Sequence, residues 1–213
     1  MLLNIYAVLL KKQGFQHWWP GDTDFEICIG AILTQNTTWR NVEKAIGNLK
    51  NQSLMSVDAL LRAGERKIAS IVKPAGFFNQ KARYVYDFCK FIEVNPMNKL
   101  RKGELLEVRD ALLGIRGIGK ETADSMLLYA LDFPIFVIDA YTKRIFSRIG
   151  VCNEDIDYED IQGVFHKGLV TDIDLFKDYH AQIVMLGKDT CHKTPRCGLC
   201  ILHKQKICSY RLN

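Results

Sequence analysis

Apolar residues recur at offsets of three and four along most of this chain, and that spacing constrains the fold more than any other feature. Phe25, Cys28, Ile29, Ile32 and Leu33 form one stripe, and Val42, Ala45, Ile46 and Leu49 a second. Ala123, Met126, Leu127, Ala130 and Leu131 form a third. An α-helix turns once in 3.6 residues, so each stripe lies along one face and faces a core. The turn signals between stripes are short: Pro20-Gly21-Asp22, Lys73-Pro74-Ala75-Gly76, Asn95-Pro96 and Phe133-Pro134. Ile135 to Ile138 is a brief extended-looking run, too short to carry a sheet. The expected fold class is therefore all-α, built from many short helices. If there are two domains, the boundaries fall near Pro20-Gly21 and Phe133-Pro134.

A chain of 213 residues, 48% apolar and 25% charged, has length for one large or two small domains. That composition excludes a disordered chain, a collagen-like fibre and a coiled coil. No stretch approaches the roughly 20 apolar residues of a membrane helix. Met1 to Leu10 is apolar, but Lys11 and Lys12 follow it rather than precede it. It reads as a first amphipathic helix and not a signal peptide, which places the protein inside the cell, cytoplasmic or nucleoid-associated, with no membrane partner.

Charge is unevenly distributed. Of the formal +5, all is supplied by the segment from Lys188 to Asn213, with Lys188, Lys193, Arg196, Lys204, Lys206 and Arg211 against Asp189. A basic tail on a neutral body suits a polyanion, although a solvated surface looks similar. The acidic stretch Glu154 to Asp160 reads as a solvated helix start.

The tail also holds Cys191, Cys197, Cys200 and Cys208, with five, two and seven residues between them. Cys28, Cys89 and Cys152 lie singly on apolar stretches and read as small core residues. Disulfides are the poorer explanation in a cytoplasmic protein. Zinc ribbons show two close Cys-x-x-Cys pairs, whereas a single pair with uneven flanking gaps suits a [4Fe-4S] cube better, with zinc as the less favoured occupant.

Gly117-Ile118-Gly119 follows a helix-period segment, Glu104 to Leu113, and a second helix starts at once. Glycines at alternate positions adopt angles closed to other residues and leave amides uncovered. Such amides at a helix start form a phosphate site; the alternative is an ordinary tight turn between helices. Twenty residues past Gly119 comes Asp139, in Phe136-Val-Ile-Asp-Ala-Tyr-Thr-Lys-Arg144. An aspartate before Ala-Tyr-Thr also suits a helix N-cap.

Together with Ala31-Ile-Leu-Thr-Gln-Asn-Thr37 and Gly76-Phe-Phe-Asn-Gln-Lys-Ala82, these segments resemble the helix-hairpin-helix superfamily of DNA glycosylases, in its endonuclease III-like branch. The resemblance covers most of the chain. It implies a two-domain all-α fold with damaged double-stranded DNA held in a cleft. One domain would be a six-helix barrel over 21–133 that carries the hairpin. The other would be discontinuous, 1–20 plus 134–213, and would carry the iron–sulfur loop. The same resemblance makes Asp139 the catalytic carboxylate and implies a monomer with no obligatory protein partner. It implies DNA contacts from Gly117, Gly119, Lys120 and Thr122, with Gln35 and Phe77 entering the duplex as plug and wedge; a buried Phe77 is the commoner fate of such a residue. The superfamily's cysteine gaps are six, two and five, so two of the three differ here.

Bifunctional members carry a lysine just before the Thr-Ala of the second hairpin helix. Here Glu121 occupies that position and Lys120 lies one residue, about 100° of helix, away. A carboxylate cannot form an imine with the sugar, so the expected enzyme is monofunctional. Trp18, Trp19 and Trp39 read either as core packing or as a stacking pocket for a flipped base. Indole faces attract a cationic alkylated base more than a neutral one, by roughly 0.5–2 kcal/mol. The combination resembles the methylpurine type, 3-methyladenine DNA glycosylase III or methylpurine glycosylase II. The leading expectation is thus base-excision removal of alkylated purines. The alternatives are an endonuclease III-like glycosylase and lyase for oxidised pyrimidines, and a non-catalytic DNA-binding module.

Overall fold

The structure, a computed structural model, describes residues 1–210; Arg211 of the basic tail lies outside them. Twelve α-helices and no strand occur among the described residues. The chain divides into two compact units, Pro20–Phe133 and a unit made of Met1–Trp19 with the chain from Pro134 on. No helix is long and apolar enough to cross a membrane.

The unit Pro20–Phe133 contains α2 (Asp24–Leu33), α3 (Trp39–Asn51), α4 (Val57–Ile71), α5 (Phe78–Val94), α6 (Met97–Leu100), α7 (Leu105–Leu113) and α8 (Lys120–Tyr129). The stripes on α2 and α3 are buried, except that Phe25 is half-buried. Thr23 caps α2 by accepting the Glu26 amide. Helix α8 goes further than its periodicity suggests: every residue from Thr122 to Tyr129 is buried. Asp124 is tolerated there because Arg109 pairs with it through two bonds, Nε to Oδ1 at 2.6 Å and Nη2 to Oδ2 at 3.1 Å.

The other unit contains α1 (Leu2–Gln13), which precedes α2 in the chain, then α9 (Ala140–Ile149), α10 (Tyr158–Gly168), α11 (Ile173–Asp189) and α12 (Ile201–Lys204). Phe136, Phe146, Phe165, Phe176 and Tyr179 form its aromatic core, with Phe136 stacked on Phe165 at 4.0 Å between ring centres. The run Ile135–Ile138 forms neither helix nor strand. Side chains of α10 supply its hydrogen bonds instead. The Phe136 amide donates to His166 Nε2 at 3.1 Å, Gln162 Nε2 donates to the Phe136 carbonyl at 2.7 Å, and the Ile138 amide donates to Tyr158 Oη at 3.3 Å. Those three side chains sit at spacings of four on α10, so they share one face. The acidic stretch Glu154 to Asp160 runs into the start of this helix, with Asp157 as N-cap and Glu159 and Asp160 in the first turn.

Candidate active site

The run Ile135–Ile138 delivers Asp139 to the start of α9. Its Oδ1 accepts from both the amide and the hydroxyl of Thr142, each at 2.7 Å, so the N-cap role expected of it is filled. Oδ2 lies 3.7 Å from His180 Nε2 on α11. The residue is only 8% exposed. Burial alone pushes its pKa up, but the electrostatic pull of His180, then the two bonds from Thr142, outweigh burial and hold it below the ordinary carboxylate value. At neutral pH this is a buried anion, suited to stabilising positive charge on a sugar or orienting a water.

His180 was not legible as a site residue. It alternates with Asp178 and Gln182 in a stretch of α11 that is buried from Phe176 through Val184, except for the half-buried Lys177. Polar residues inside such a stretch require partners, and that was the available signal. Asp178 Oδ1 accepts the Gln16 amide at 2.8 Å, and Oδ2 accepts the Tyr6 hydroxyl at 2.9 Å. Gln182 Nε2 donates to the Gly14 carbonyl at 2.6 Å. Helix α11 therefore holds the Gly14–Trp19 segment with two residues and meets Asp139 with the one between them.

Trp18 and Trp19, in that segment, are half-buried and in edge contact, 6.0 Å between ring centres. The Lys188 ammonium stands over the Trp18 ring at 5.2 Å. Trp39 belongs to the unit Pro20–Phe133, where it opens α3 half-buried and its indole N–H donates to Glu43 Oε1 at 2.9 Å.

In that same unit α7 and α8 are joined by the glycine hairpin. Gly117 has φ +82°, and a Cβ there would stand 2.3 Å from the Tyr84 ring, so both conformation and packing require glycine. Gly119 differs from expectation. Its φ of −92° is open to any residue; what it contributes is the α8 N-cap position with empty space where a side chain would be. Gln35 Nε2 donates to the Gly117 carbonyl at 2.9 Å and to the Thr122 hydroxyl at 3.0 Å. Gln35 and the buried Thr122 are thus joined to each other and to the hairpin from within the protein. Lys120 and Glu121 are both exposed at the start of α8. Phe77 is 66% exposed and has φ +44°, a left-handed conformation unusual for a bulky residue. The buried fate is not the one it has.

The four tail cysteines line a single cavity with Arg148, Arg196, His203 and Tyr210. Burial pushes the Cys208 thiol up, a backbone bond at Tyr210 pulls it back, and the charges of Cys200, Cys191 and Cys197 add to the rise. The loop is gripped from α9. Arg148 Nη1 donates to the His192 carbonyl at 2.6 Å and approaches Cys191 Sγ at 3.2 Å, while Nη2 donates to the Lys193 carbonyl at 2.8 Å. One turn earlier, Arg144 Nε donates to the Cys191 carbonyl at 2.9 Å. Among the described residues no three His, Cys, Asp or Glu side chains close around the position of one metal ion.

A family model described as HhH-GPD superfamily base excision DNA repair protein matches residues 29–169. A protein of Methanocaldococcus jannaschii, provisionally named a DNA repair glycosylase, is 48% identical over 205 residues, covering 94% of this chain and 93% of its own. Endonuclease III of Sulfolobus acidocaldarius is 30% identical over 192 residues, covering 89% and 83%. Among solved structures, the 3-methyladenine DNA glycosylase MagIII of H. pylori bound to 1,N6-ethenoadenine aligns with a TM-score of 0.75 at 29% identity, covering 88% of this chain and 96% of that one. An endonuclease III–DNA complex aligns with a TM-score of 0.79 over 98% and 95%, and its 20% identity makes that a likeness of fold. With a family model across more than half of it and a 48% identical relative along nearly all of it, the chain belongs to the HhH-GPD superfamily of base excision DNA repair proteins and is a DNA N-glycosylase.

Proposed function

We propose that this glycosylase removes alkylated purines from double-stranded DNA, acting as a monomer without a lysine-based strand cleavage. The observation that carries the substrate class is the Trp18–Trp19 pair, one of whose rings already holds an ammonium. A ring face that attracts Lys188 attracts a cationic N-alkylated purine by the same quadrupole. Alkylation also makes the purine a good leaving group, so one ionised carboxylate suffices. The likeness to the H. pylori enzyme supports the same reading. In this mechanism the base is flipped out of the stack, with Gln35 and Phe77 as plug and wedge and Trp39 as a further stacking face. Asp139 stabilises the oxocarbenium-like sugar as the C1′–N bond breaks, and orients the water that then adds to C1′. The amides of Gly117 and Gly119, with Lys120 and Thr122, serve the phosphate backbone.

Glu121 supports the monofunctional assignment: by the resemblance it takes the position of the imine-forming lysine, it is exposed, and a carboxylate cannot form an imine. A second reading, an endonuclease III-like activity on oxidised pyrimidines with strand nicking, draws on the 30% identity to the Sulfolobus enzyme. Base release from methylated and from thymine-glycol duplexes, each with and without alkaline cleavage of the abasic site, separates the two. Release from methylated DNA alone, with nicking only after alkali and no borohydride-trapped adduct, is the expected result.

We assign Cys191, Cys197, Cys200 and Cys208 to a [4Fe-4S] cluster. Four thiols lining one cavity, with a single Cys-x-x-Cys pair and uneven flanking gaps, suit a cube better than a zinc. Bound there, the cluster would crosslink the tail; Arg148 and Arg144 hold its loop against α9 from the protein side. On this assignment 1–20 plus 134–213 is the cluster domain and 21–133 the barrel. A brown protein containing iron and sulfide is expected; a colourless one with stoichiometric zinc would reject the cluster.

A further inference from the structure

Lys81, in the first turn of α5, is 2% exposed, yet among the described residues no carboxylate pairs with it. Its Nζ donates instead to two backbone carbonyls, Leu33 at 2.8 Å and Ala75 at 2.7 Å. Leu33 is the last residue of α2, two before Gln35, and Ala75 ends a short 3-10 turn, two before Phe77. The backbone amide of Lys81 closes on the Phe77 carbonyl at 3.0 Å.

We propose that Lys81 is a positioning residue for duplex opening, its ammonium tying the Gln35 loop to the Phe77 loop so that plug and wedge are held at a fixed separation before DNA arrives. This rests on the assignment of Gln35 and Phe77 as the residues that enter the duplex. Just past each tie the backbone becomes irregular: Asn36, Gly76 and Phe77 all have positive φ, at 52°, 69° and 44°. Leu33 and Ala75 each end a helical element, where a carbonyl has no following helical amide, and an apolar side chain at position 81 would leave both carbonyls buried without donors. An ammonium on a four-carbon stem reaches both at once. Burial lowers the Lys81 pKa to about 8, so the charge sits in a place that disfavours it. Loops fixed in advance lose less freedom when DNA binds, and small displacements of an inserting group are costly to rate.

The test compares two duplexes under single turnover, one with 7-methylguanine opposite cytosine and one with it opposite an abasic-site analogue, where the base is already unpaired. Lys81→Met keeps the stem and removes the donors. It is expected to slow excision from the paired duplex by about 10- to 100-fold while changing the unpaired one less than about threefold. Gln35→Ala and Phe77→Ala should show the same selectivity. Lys81→Gln, which restores a donor, should recover part of the paired rate, and it carries the comparison if Lys81→Met does not fold. Equal losses on both duplexes at position 81, with selective losses at 35 and 77, would overturn the role of Lys81 and leave the plug and wedge standing. Absence of selectivity at 35 and 77 would overturn the plug and wedge, and the proposal with them.

Discussion

Replacing Asp139 with asparagine separates its two roles. The cap needs only an oxygen at the Oδ1 position, where two bonds of 2.7 Å arrive from Thr142. Asparagine supplies that oxygen and ranks with aspartate as an N-cap. What disappears is the negative charge 3.7 Å from His180, together with the cost of burying it. These two changes oppose one another, so Asp139→Asn should alter stability by less than about 1 kcal/mol. Asp139→Ala removes both Thr142 bonds and should cost about 1–2 kcal/mol. Excision should fall about 10²- to 10³-fold or more in both, the range seen when one preorganised electrostatic group is lost from a transition state. Urea unfolding and single-turnover release of 7-methylguanine measure the two effects on the same preparations. An asparagine variant retaining more than about a tenth of the wild-type rate would refute the catalytic assignment, because a cap alone predicts that outcome. One as unstable as the alanine variant would refute the separation of roles.

Because the Asp139 pKa lies below its ordinary value of about 4, the folded state binds fewer protons there than the unfolded one. Its stability contribution is then complete above about pH 4 and drains as pH falls through the lowered value; the wild-type advantage over Asp139→Asn in acid melts should shrink only in that window. Gly117→Ala must place a methyl 2.3 Å from Tyr84 at φ +82°, and should cost about 2–4 kcal/mol in urea unfolding, whereas Gly119→Ala, with open space and φ −92°, should cost under about 1 kcal/mol. Arg148→Gln removes the donors to the His192 and Lys193 carbonyls and the contact to Cys191, and should lower thermal stability by about 1–3 kcal/mol along with the iron content of purified protein. Stripping the proposed cluster should weaken DNA binding and flatten its salt dependence before it alters the single-turnover rate at saturating protein, since the exposed Lys193, Arg196, Lys204 and Lys206 lie in the loop it would organise.

Helices were legible because their signal is local: a stripe such as Val42, Ala45, Ile46 and Leu49 is complete within about two turns and needs no knowledge of what it meets. The cap at Asp139 was legible for the same reason, since Thr142 is three residues away. His180, Lys81 and Arg148 were not, because each is defined by a partner 30 to 50 residues off. A polar residue in a sequence shows a capacity for hydrogen bonding and not its address. Gly117 shows a mixture of the two. Its turn was visible, but the pressure of the Tyr84 ring against it was not. Gly119 shows the opposite case, a glycine in the motif whose backbone angle makes no demand.

The side-chain ladder of Tyr158, Gln162 and His166 has a consequence for how such a protein can drift in sequence. In a sheet, backbone pairs with backbone, and the bonds survive almost any exchange of side chains. Here the register of the segment ending at Asp139 is written in three side chains of another helix. Deleting one residue of α10 between them would rotate the remainder of the ladder by about 100°, away from the segment it serves. A chimera that takes α10 from another member of the superfamily should therefore keep its aspartate in place only if groups able to make these three bonds travel with it.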